Sequence, residues 1–317
     1  MRESRVALDE PETFARPARR GPSLLWAIVL AGGEGRRLAP LTRQIYGSDR
    51  PKQYAALIGR RSLLQQTLIR TGQLIPPVRT VIVTMATHTM YLRTELAAFP
   101  DVHVLCQPLD RGTAAAVLLA ARWIHERDPA ASVAVFPADH FVLEEAPFMQ
   151  HVADMAEWAT ASPRWLVLLG AAPTGPEVEH GWIEHGENVA ITASGPIRRV
   201  RCFREKPRAE IAHVLFENGG LWNTHVFAGR VSAVLDAGRH SAPYVYDPLA
   251  DSRWSLHTAY RHAQTADFSR AVLQSFTCPV GVAELRNLTW SDLGTPARVA
   301  DVLRKFGTSR RWIGDLA

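Results

Sequence analysis

Three glycines and two arginines follow a short apolar run near the start of the chain, in the stretch AIVLAGGEGRRLAPLT (27–42). The apolar residues predict a buried strand of an α/β sheet. Gly32, Gly33 and Gly35 let the backbone behind this strand turn sharply and approach another group with its N–H groups exposed. Arg36 and Arg37 add positive charge at the same point. This combination predicts a binding loop for an anion with several oxygens, such as the phosphates of a nucleotide.

The glycine loop fits neither of two common phosphate-binding patterns. The dinucleotide pattern GxGxxG fails because Leu38 stands where the third glycine is needed. The P-loop pattern GxxxxGKS/T fails because no Lys-Ser or Lys-Thr pair occurs in the chain. Two interpretations of this loop therefore remain: a phosphate-binding loop, and an ordinary glycine-rich turn with surface arginines.

Lysine is scarce in this chain. Only Lys52, Lys206 and Lys305 occur, whereas arginine accounts for the rest of the 36 basic residues. Arginine carries a broad planar fork and lysine a compact point charge, so the two are not interchangeable at a crowded site. The few lysines are therefore candidates for positions that require a compact cation.

Composition excludes several classes of protein. At 317 residues, with 47% hydrophobic and 21% charged residues, the chain has the composition of a soluble globular protein. The longest apolar run, Leu24 to Ala31, is too short to cross a bilayer, so no membrane association is expected. The net charge of +5 comes from scattered arginines without a nucleic-acid-binding motif, so no nucleic acid partner is expected either.

The cysteines indicate the cellular compartment, and the composition of the first residues indicates where the folded domain begins. Cys106, Cys202 and Cys278 form no CxxC pair and suit a reducing cytoplasm, where they are expected as small buried hydrophobes. Residues 1–22 are polar and rich in arginine and proline, which predicts a disordered tail. Residues 23–317 are expected to form a single domain.

Apolar strand patterns and helical patterns alternate along the first half of the chain. Ser62 is a plausible N-cap for the first helix after the glycine loop. Strands are predicted at 24–30, 78–84, 102–106, 132–137, 165–171, 197–204 and 226–229, and helices at 62–75, 87–99, 112–127, from about 207, and at 296–306. The alternation predicts a mainly parallel sheet with helices on both faces. Ligands of such sheets gather at the carboxyl ends of the strands, where the glycine loop and residues 137–140 lie.

Six short motifs in this order resemble the sugar-nucleotide pyrophosphorylases, and among them most closely the mannose-1-phosphate guanylyltransferases. The motifs are LAGGEGRRLAPLT (30–42), RPKQY (50–54), FPADH (136–140), FREKP (203–207), WNTHVF (222–227) and WSDLGT (290–295). The resemblance implies a Rossmann-like mixed, mainly parallel sheet flanked by helices. It also implies transfer of a nucleoside monophosphate from an NTP to a sugar 1-phosphate, with release of pyrophosphate. Such catalysis consists mostly of positioning and charge neutralisation.

The resemblance assigns a role to each matching residue. Arg37 and Lys52 would meet the triphosphate, and Lys206 the phosphate of the sugar. Asp139 and Asp292 would hold Mg²⁺, which prefers carboxylate oxygens and water. The remaining matches divide into a nucleotide-binding set, Leu30, Ala31, Gly32, Gly33, Gln107, Gly112 and Thr113, and a sugar-binding set, Gly181, Glu205 and Asn223. His140 would shape the loop by hydrogen bonding rather than bind the metal.

Two departures from the family pattern leave the substrates open. Gly112 stands where the commonest guanylyltransferase form has asparagine, and Thr224-His225 replaces the usual serine-glycine. The expected substrates are GTP and mannose 1-phosphate; the alternatives are another pair such as dTTP and glucose 1-phosphate, or a silent relative that binds a nucleotide sugar for regulation. The five matching charged residues argue against the silent relative. The sequence leaves the oligomeric state open, and a homo-oligomer is one possibility.

Overall fold

The computed structural model describes residues 24–305, which form eleven strands and eleven α-helices joined by short 3₁₀ turns. The tail predicted for residues 1–22 lies outside the described residues. The strands are β1 (Leu25–Leu30), β2 (Thr80–Met85), β3 (His103–Gln107), β4 (Ser132–Pro137), β5 (Phe141–Val142), β6 (Leu166–Ala171), β7 (Gly181–Thr192), β8 (Gly195–Glu205), β9 (Leu221–Arg230), β10 (Val280–Leu285) and β11 (Trp290–Ser291). The helices are α1 (Ala39–Tyr46), α2 (Leu63–Gly72), α3 (Thr89–Glu95), α4 (Gly112–His125), α5 (Glu145–Ala161), α6 (Ala209–Glu217), α7 (Val231–Ser241), α8 (Pro243–Ala250), α9 (Leu256–His262), α10 (Phe268–Ala271) and α11 (Pro296–Lys305).

Nine strands form one sheet in the order β3-β2-β1-β4-β9-β6-β10-β8-β7. The strands β3, β2, β1 and β4 pair in parallel, and so do β6 and β10. β9 is antiparallel to both β4 and β6, and β8 is antiparallel to β10 and β7. Only β8 and β9 therefore oppose the common direction of this sheet, and the predicted mixed, mainly parallel sheet is confirmed.

The sheet curls back on itself in its second half. β7 pairs with β8 along most of its length and also with the start of β9, through Trp182 opposite Trp222 and Ile183 opposite Leu221. Strands β9, β6, β10, β8 and β7 thus form a closed ring of pairings. The closure brings the first residues of β7 and β9 together with the last residue of β8.

Alternate residues of the central strands enter two different cores. On β1, Trp26 and Ile28 face the core that contains α4, while Leu25 and Ala27 face the core that contains α5. β4 divides its residues in the same way. Such a strand is buried on both faces, which explains its continuous apolar sequence and confirms helices on both sides.

Most predicted elements are present, with shifted bounds. Ser62 caps α2, and its hydroxyl and the Gln65 side chain form a reciprocal capping box. The helix predicted for 87–99 is shorter, Thr89–Glu95: a 3₁₀ turn precedes it at Ala86–His88, and beyond it the Phe99 N–H donates to the Leu96 carbonyl in a turn. Within residues 24–305, no helix combines the length and the apolar character needed to cross a membrane.

Candidate active site

A cavity of about 390 Å³ opens where β1, β3 and β4 end. Most of the residues predicted for the site line it, namely Leu30, Gly32, Gly33, Arg37, Lys52, Gln107, Gly112, Thr113, Asp139, Glu205, Lys206, Asn223 and Asp292. Two predicted residues do not line it. Ala31 is buried behind the glycine loop, and Gly181 lies behind Glu205 and Asn223.

The glycine loop is held from behind by the motif that carries Lys52. The Gln53 side chain donates hydrogen bonds of 2.8 Å to the carbonyl oxygens of both Ala31 and Gly33. The Tyr54 hydroxyl donates to the Ala31 carbonyl at 3.1 Å. Gly35 has a left-handed φ of 64°, and a side chain there would collide with the backbone nitrogen of Lys52 at 2.8 Å. The loop therefore requires this glycine and is fixed before any ligand binds.

Lys52 connects the two residues predicted to hold the metal, through the Asp139 carboxylate and the Asp292 backbone carbonyl. Its Nζ donates to the backbone carbonyl of Asp292 at 2.7 Å and lies 3.1 Å from Asp139 Oδ2. Its side chain is only 13% exposed. A compact ammonium group fits this narrow position between two chain segments, as the scarcity of lysine suggested.

Asp139 is ionised although it is enclosed. Burial opposes its charge, but the nearby Lys52 ammonium group outweighs that effect and lowers the pKa of Asp139 below its usual range. His140 is buried, and this lowers its pKa to about 3. Trp290 Nε1 donates to His140 Nδ1 at 3.3 Å, so the proton of the neutral imidazole is on Nε2, 3.7 Å from Asp139 Oδ1. These contacts support a loop-shaping role for His140.

Asp292 is held by an arginine that no motif indicated. Arg298, in the first turn of α11, places Nη1 2.9 Å from both Asp292 carboxylate oxygens. The Gly294 N–H donates to Asp292 Oδ1 at 3.0 Å. Burial opposes the Asp292 charge, but the positive charges of Arg298 and Lys52 overcome this and lower its pKa to about 2. Asp292 therefore carries a fixed negative charge at neutral pH.

The other two predicted cations differ in their surroundings. Arg37 is exposed and pairs with Glu179 at 2.9 Å. Lys206 has no hydrogen bond or ion pair to any residue between 24 and 305, and its backbone adopts a left-handed φ of 46° at the end of β8. Strained backbone of this kind persists at functional sites when the surrounding structure imposes it. Both cations line the cavity and are available to an anion, Arg37 after exchange of its carboxylate partner.

Two polar side chains of the predicted nucleotide-binding set, Gln107 and Thr113, are already bonded within the protein. The Tyr260 hydroxyl donates to Gln107 Oε1 at 3.1 Å, and a side chain on Gly32 would meet Gln107 Nε2 at 2.9 Å. The Thr113 hydroxyl bonds Asp267 at 2.8 Å. Gly112 has a φ of 75°, and a side chain there would collide with the Ala266 carbonyl oxygen. These residues shape the wall next to the glycine loop.

The predicted sugar-binding trio is assembled by the closed ring of strands. Gly181 lies directly opposite Glu205 in the β7–β8 pair. A Cβ on Gly181 would stand 2.7 Å from Glu205 Oε2 and 3.2 Å from Asn223 Cβ, so glycine is needed for this close approach. Glu205 Oε2 is buried without a hydrogen-bond partner in the described chain, and burial raises the pKa of Glu205. Glu205 also lines the cavity, so its carboxylate is suited to accept from a ligand hydroxyl on that side.

Two carboxylates, Asp139 and Asp292, could contribute to a metal site on the cavity wall. Across residues 24–305, no three Asp, Glu, His or Cys side chains cluster closely enough to hold a metal ion by themselves. Magnesium at phosphate-transferring sites commonly takes one or two carboxylates and completes its shell with phosphate oxygens and water. Two ionised carboxylates therefore fit Mg²⁺ bound together with a phosphate ligand.

The sequence did not predict the roles of several residues at the site. Arg298 holds Asp292 and also bonds Glu177 at 3.1 Å. The sequence gives one indication of this role: Arg298 lies in the first turn of a predicted helix. The helix dipole disfavours a positive charge there unless an anion is near. Gln53 and Tyr54 stood within a quoted motif, yet their support of the glycine loop is visible only in three dimensions.

The fold is that of the nucleotide-diphospho-sugar transferases, as comparison with solved structures shows. A structure from Thermus thermophilus, described as a mannose-1-phosphate geranyltransferase, superposes with a TM-score of 0.77 at 29% identity, covering 90% of this chain and 80% of that one. The chain belongs to the nucleotidyl transferase family, whose model matches residues 26–308. The resemblance inferred from the six motifs is thereby confirmed at the level of the family, whose members generally use divalent metal ions.

Relatives of known description extend over most of the chain. The mannose-1-phosphate guanylyltransferase of Salmonella montevideo is 31% identical over 312 residues, which cover 92% of this chain and 63% of the relative. The alginate biosynthesis protein AlgA of Pseudomonas syringae pv. tomato is 32% identical over 257 residues, which cover 79% of this chain and 50% of the relative. The xanthan biosynthesis protein XanB of Xanthomonas campestris is 29% identical, and the chain spans 62% of its length.

Proposed function

We propose that this chain is a cytoplasmic nucleotidyltransferase that makes GDP-mannose from GTP and mannose 1-phosphate. A phosphate oxygen of the sugar phosphate forms a bond to the α-phosphorus, the bond from that phosphorus to the β-phosphate oxygen breaks, and pyrophosphate leaves. The observation that carries the proposal is the convergence of Arg37, Lys52 and Lys206 with the carboxylates of Asp139 and Asp292 around one cavity.

The charges of the cavity suit the meeting of two anions. Lys52 is held by Asp139 and the Asp292 carbonyl, next to the glycine loop, so its charge faces the place proposed for the triphosphate. Lys206, without a partner in the described chain, would meet the phosphate of the sugar. Preorganised cations stabilise the charge that spreads over a transferring phosphoryl group without reorganising during the reaction. Mg²⁺ bound by Asp139 and Asp292 would neutralise further phosphate charge.

The nucleotide assignment draws on the relatives named as guanylyltransferases and on the chemistry of the base. Guanine offers an N–H donor edge and a carbonyl acceptor, and each buried polar group left unpaired costs roughly 1–3 kcal/mol. Because the Gln107 and Thr113 side chains are bonded internally, we expect the backbone groups of the glycine loop and of residues 107–113 to pair with the base.

A pyrophosphate-release assay with five nucleotides and several sugar 1-phosphates tests the proposal. We expect kcat/KM to be highest for GTP with mannose 1-phosphate, and at least about tenfold lower for ATP because adenine presents a different edge, with one mismatched polar group costing about 1.4 kcal/mol or more. A preference for dTTP with glucose 1-phosphate would contradict the guanine and mannose assignments and leave the reaction class in place. Absence of pyrophosphate release with every pair would contradict the proposed activity.

Gly181→Ala tests the geometry of the sugar-binding trio. The added methyl group would stand 2.7 Å from Glu205 Oε2 and 3.1 Å from Phe203 Cζ, so Glu205 must move. We expect a loss of about 1–3 kcal/mol of stability and at least about a tenfold higher KM for the sugar 1-phosphate. Thermal unfolding and steady-state kinetics measure the two effects.

Gly175→Ala is the matched control, since a Cβ at Gly175 meets no atom within 4 Å and the residue lies in the loop that leads into β7. Unchanged stability and sugar KM in Gly181→Ala would show that the close approach of β7, β8 and β9 is unimportant to the site.

A further inference from the structure

β9 carries a bulge at the cavity, and His225 is at its centre. In the pairing of β9 with β6, Phe227 lies opposite Leu168 and Asn223 opposite Gly170. Three residues of β9, Thr224, His225 and Val226, therefore face a single residue of β6. Bulges of this kind change the direction in which a side chain points and are common next to active sites.

The backbone of His225 is held in a conformation that residues other than glycine rarely adopt. Its φ is +57°. The Thr224 hydroxyl donates to the Leu169 carbonyl at 2.6 Å, and the His225 N–H donates to Asn223 Oδ1 at 3.1 Å. These bonds keep the bulge in place. A bulky residue in a left-handed conformation costs stability, so its ring is expected to have a function.

The His225 ring lines the cavity with one nitrogen bonded and the other available. Nδ1 lies 3.3 Å from the Ser269 hydroxyl and 3.5 Å from Asn223 Nδ2. An amide nitrogen can only donate, so Nδ1 accepts and the proton of the neutral ring is on Nε2. Nε2 has no hydrogen-bond partner among residues 24–305.

An unpaired acceptor belongs to the same part of the cavity. Glu205 lines the cavity, and its carboxylate has no hydrogen-bond partner in the described chain; its Oε2 faces Gly181, which also neighbours Asn223. His225 is two positions after Asn223 in the chain, and both His225 and Glu205 line the cavity. A donor on His225 and an acceptor on Glu205 thus complement a group that can both accept and donate, which is the property of a hydroxyl.

We propose that His225 determines which sugar the site accepts. Its Nε2–H donates to a ring hydroxyl of the sugar 1-phosphate on the side where the Glu205 carboxylate accepts. An epimer with that hydroxyl on the other side of the ring leaves both protein groups unpaired, which sites of this kind penalise strongly. This inference rests on the proposed function, and it assigns to His225 a role in specificity and not in phosphoryl transfer.

The test compares His225→Gly with the wild type. Glycine keeps the left-handed backbone without strain and removes the ring. We expect the kcat/KM ratio of the preferred sugar 1-phosphate to its epimer, for example mannose 1-phosphate to glucose 1-phosphate, to fall at least about tenfold. The KM of the nucleotide should stay within about twofold, and thermal stability should be unchanged or higher. His225→Asn, which keeps an N–H donor and tolerates this φ, should lie between the two.

Asn287→Gly is the matched control. Asn287 also has a left-handed φ, of 55°, but is exposed and does not line the cavity, so its replacement should leave the sugar ratio unchanged. A wild-type sugar ratio in His225→Gly would overturn the inference and leave the proposed function intact.

Direct measurement of sugar 1-phosphate binding tests the role of His225 independently of the proposed catalytic activity. Should the wild type release no pyrophosphate with any pair, the proposed function fails. Calorimetric titration with mannose 1-phosphate and with glucose 1-phosphate then decides the role of His225. Equal dissociation constants in wild type and His225→Gly overturn the inference, whereas a smaller difference between the epimers in His225→Gly supports it.

Discussion

Asp139→Asn is expected to lower kcat by at least about 10²–10³-fold while the fold stays intact. Asp139 lies 3.1 Å from Lys52 and keeps a lowered pKa, so it contributes a full negative charge at the point where a phosphate-bound metal would be held. Asparagine keeps the shape and one acceptor but removes the charge. Steady-state pyrophosphate release measures the loss, and circular dichroism checks the fold.

Asp236→Asn provides the comparison for Asp139→Asn. Asp236 is also paired with a cation, Arg239 at 3.0 Å, but on the exposed surface of α7, so this change should leave kcat as it is. Full activity of Asp139→Asn in the presence of EDTA would remove Asp139 from the proposed metal site.

Lys52→Arg is expected to lower kcat/KM at least about tenfold, or roughly 1.4 kcal/mol of transition-state stabilisation. The change keeps the charge. However, the ammonium group contacts both Asp139 and the Asp292 carbonyl from an enclosed position, and Gly35 packs against its backbone. A wider planar guanidinium cannot make the same contacts in that space.

The three lysines of the chain allow an internal comparison. Lys206→Arg should also lose about tenfold in kcat/KM, because the proposal places its compact charge on the sugar phosphate. Lys305→Arg, in the last turn of α11 and outside every motif, should leave kinetics unchanged. If all three variants behave alike, the phosphate roles of Lys52 and Lys206 are wrong.

The first half of the fold was predictable because its signals are local. β1 and β4 are buried on both faces and therefore continuously apolar, and Ser62 begins α2 with an N-cap that the sequence displays. β7 was missed because residues 184–188 are polar and include a glycine, so nothing local favours a strand there. Pairing with β8, including the Arg199–Glu187 ion pair at 2.8 Å, creates the strand.

Only those residues of the candidate site that belong to the motifs could be assigned a role from the sequence. The charged residues of the motifs do meet at one cavity, because β1 and β4 end at the same edge of the sheet and the closed ring of strands brings the end of β8 to the same place. The role of Arg298 depends on how α11 packs, and the left-handed conformation of His225 depends on a bulge against β6. Neither is encoded in the spacing of nearby residues. Gly181 was predicted among the sugar-binding residues; it does not line the cavity, and a side chain there would first meet Glu205 and Phe203.

The closed ring of strands also bears on how the chain folds as it is synthesised. β10 is the last strand of the large sheet to leave the ribosome, yet it lies between β6 and β8. Until Leu285 has emerged, β6 and β8 each lack the neighbour that β10 provides. Unpaired strand edges attract other strands, and pairings between distant segments form slowly. Nascent chains halted before residue 280 should therefore depend on chaperones far more than chains released a few residues beyond Leu285.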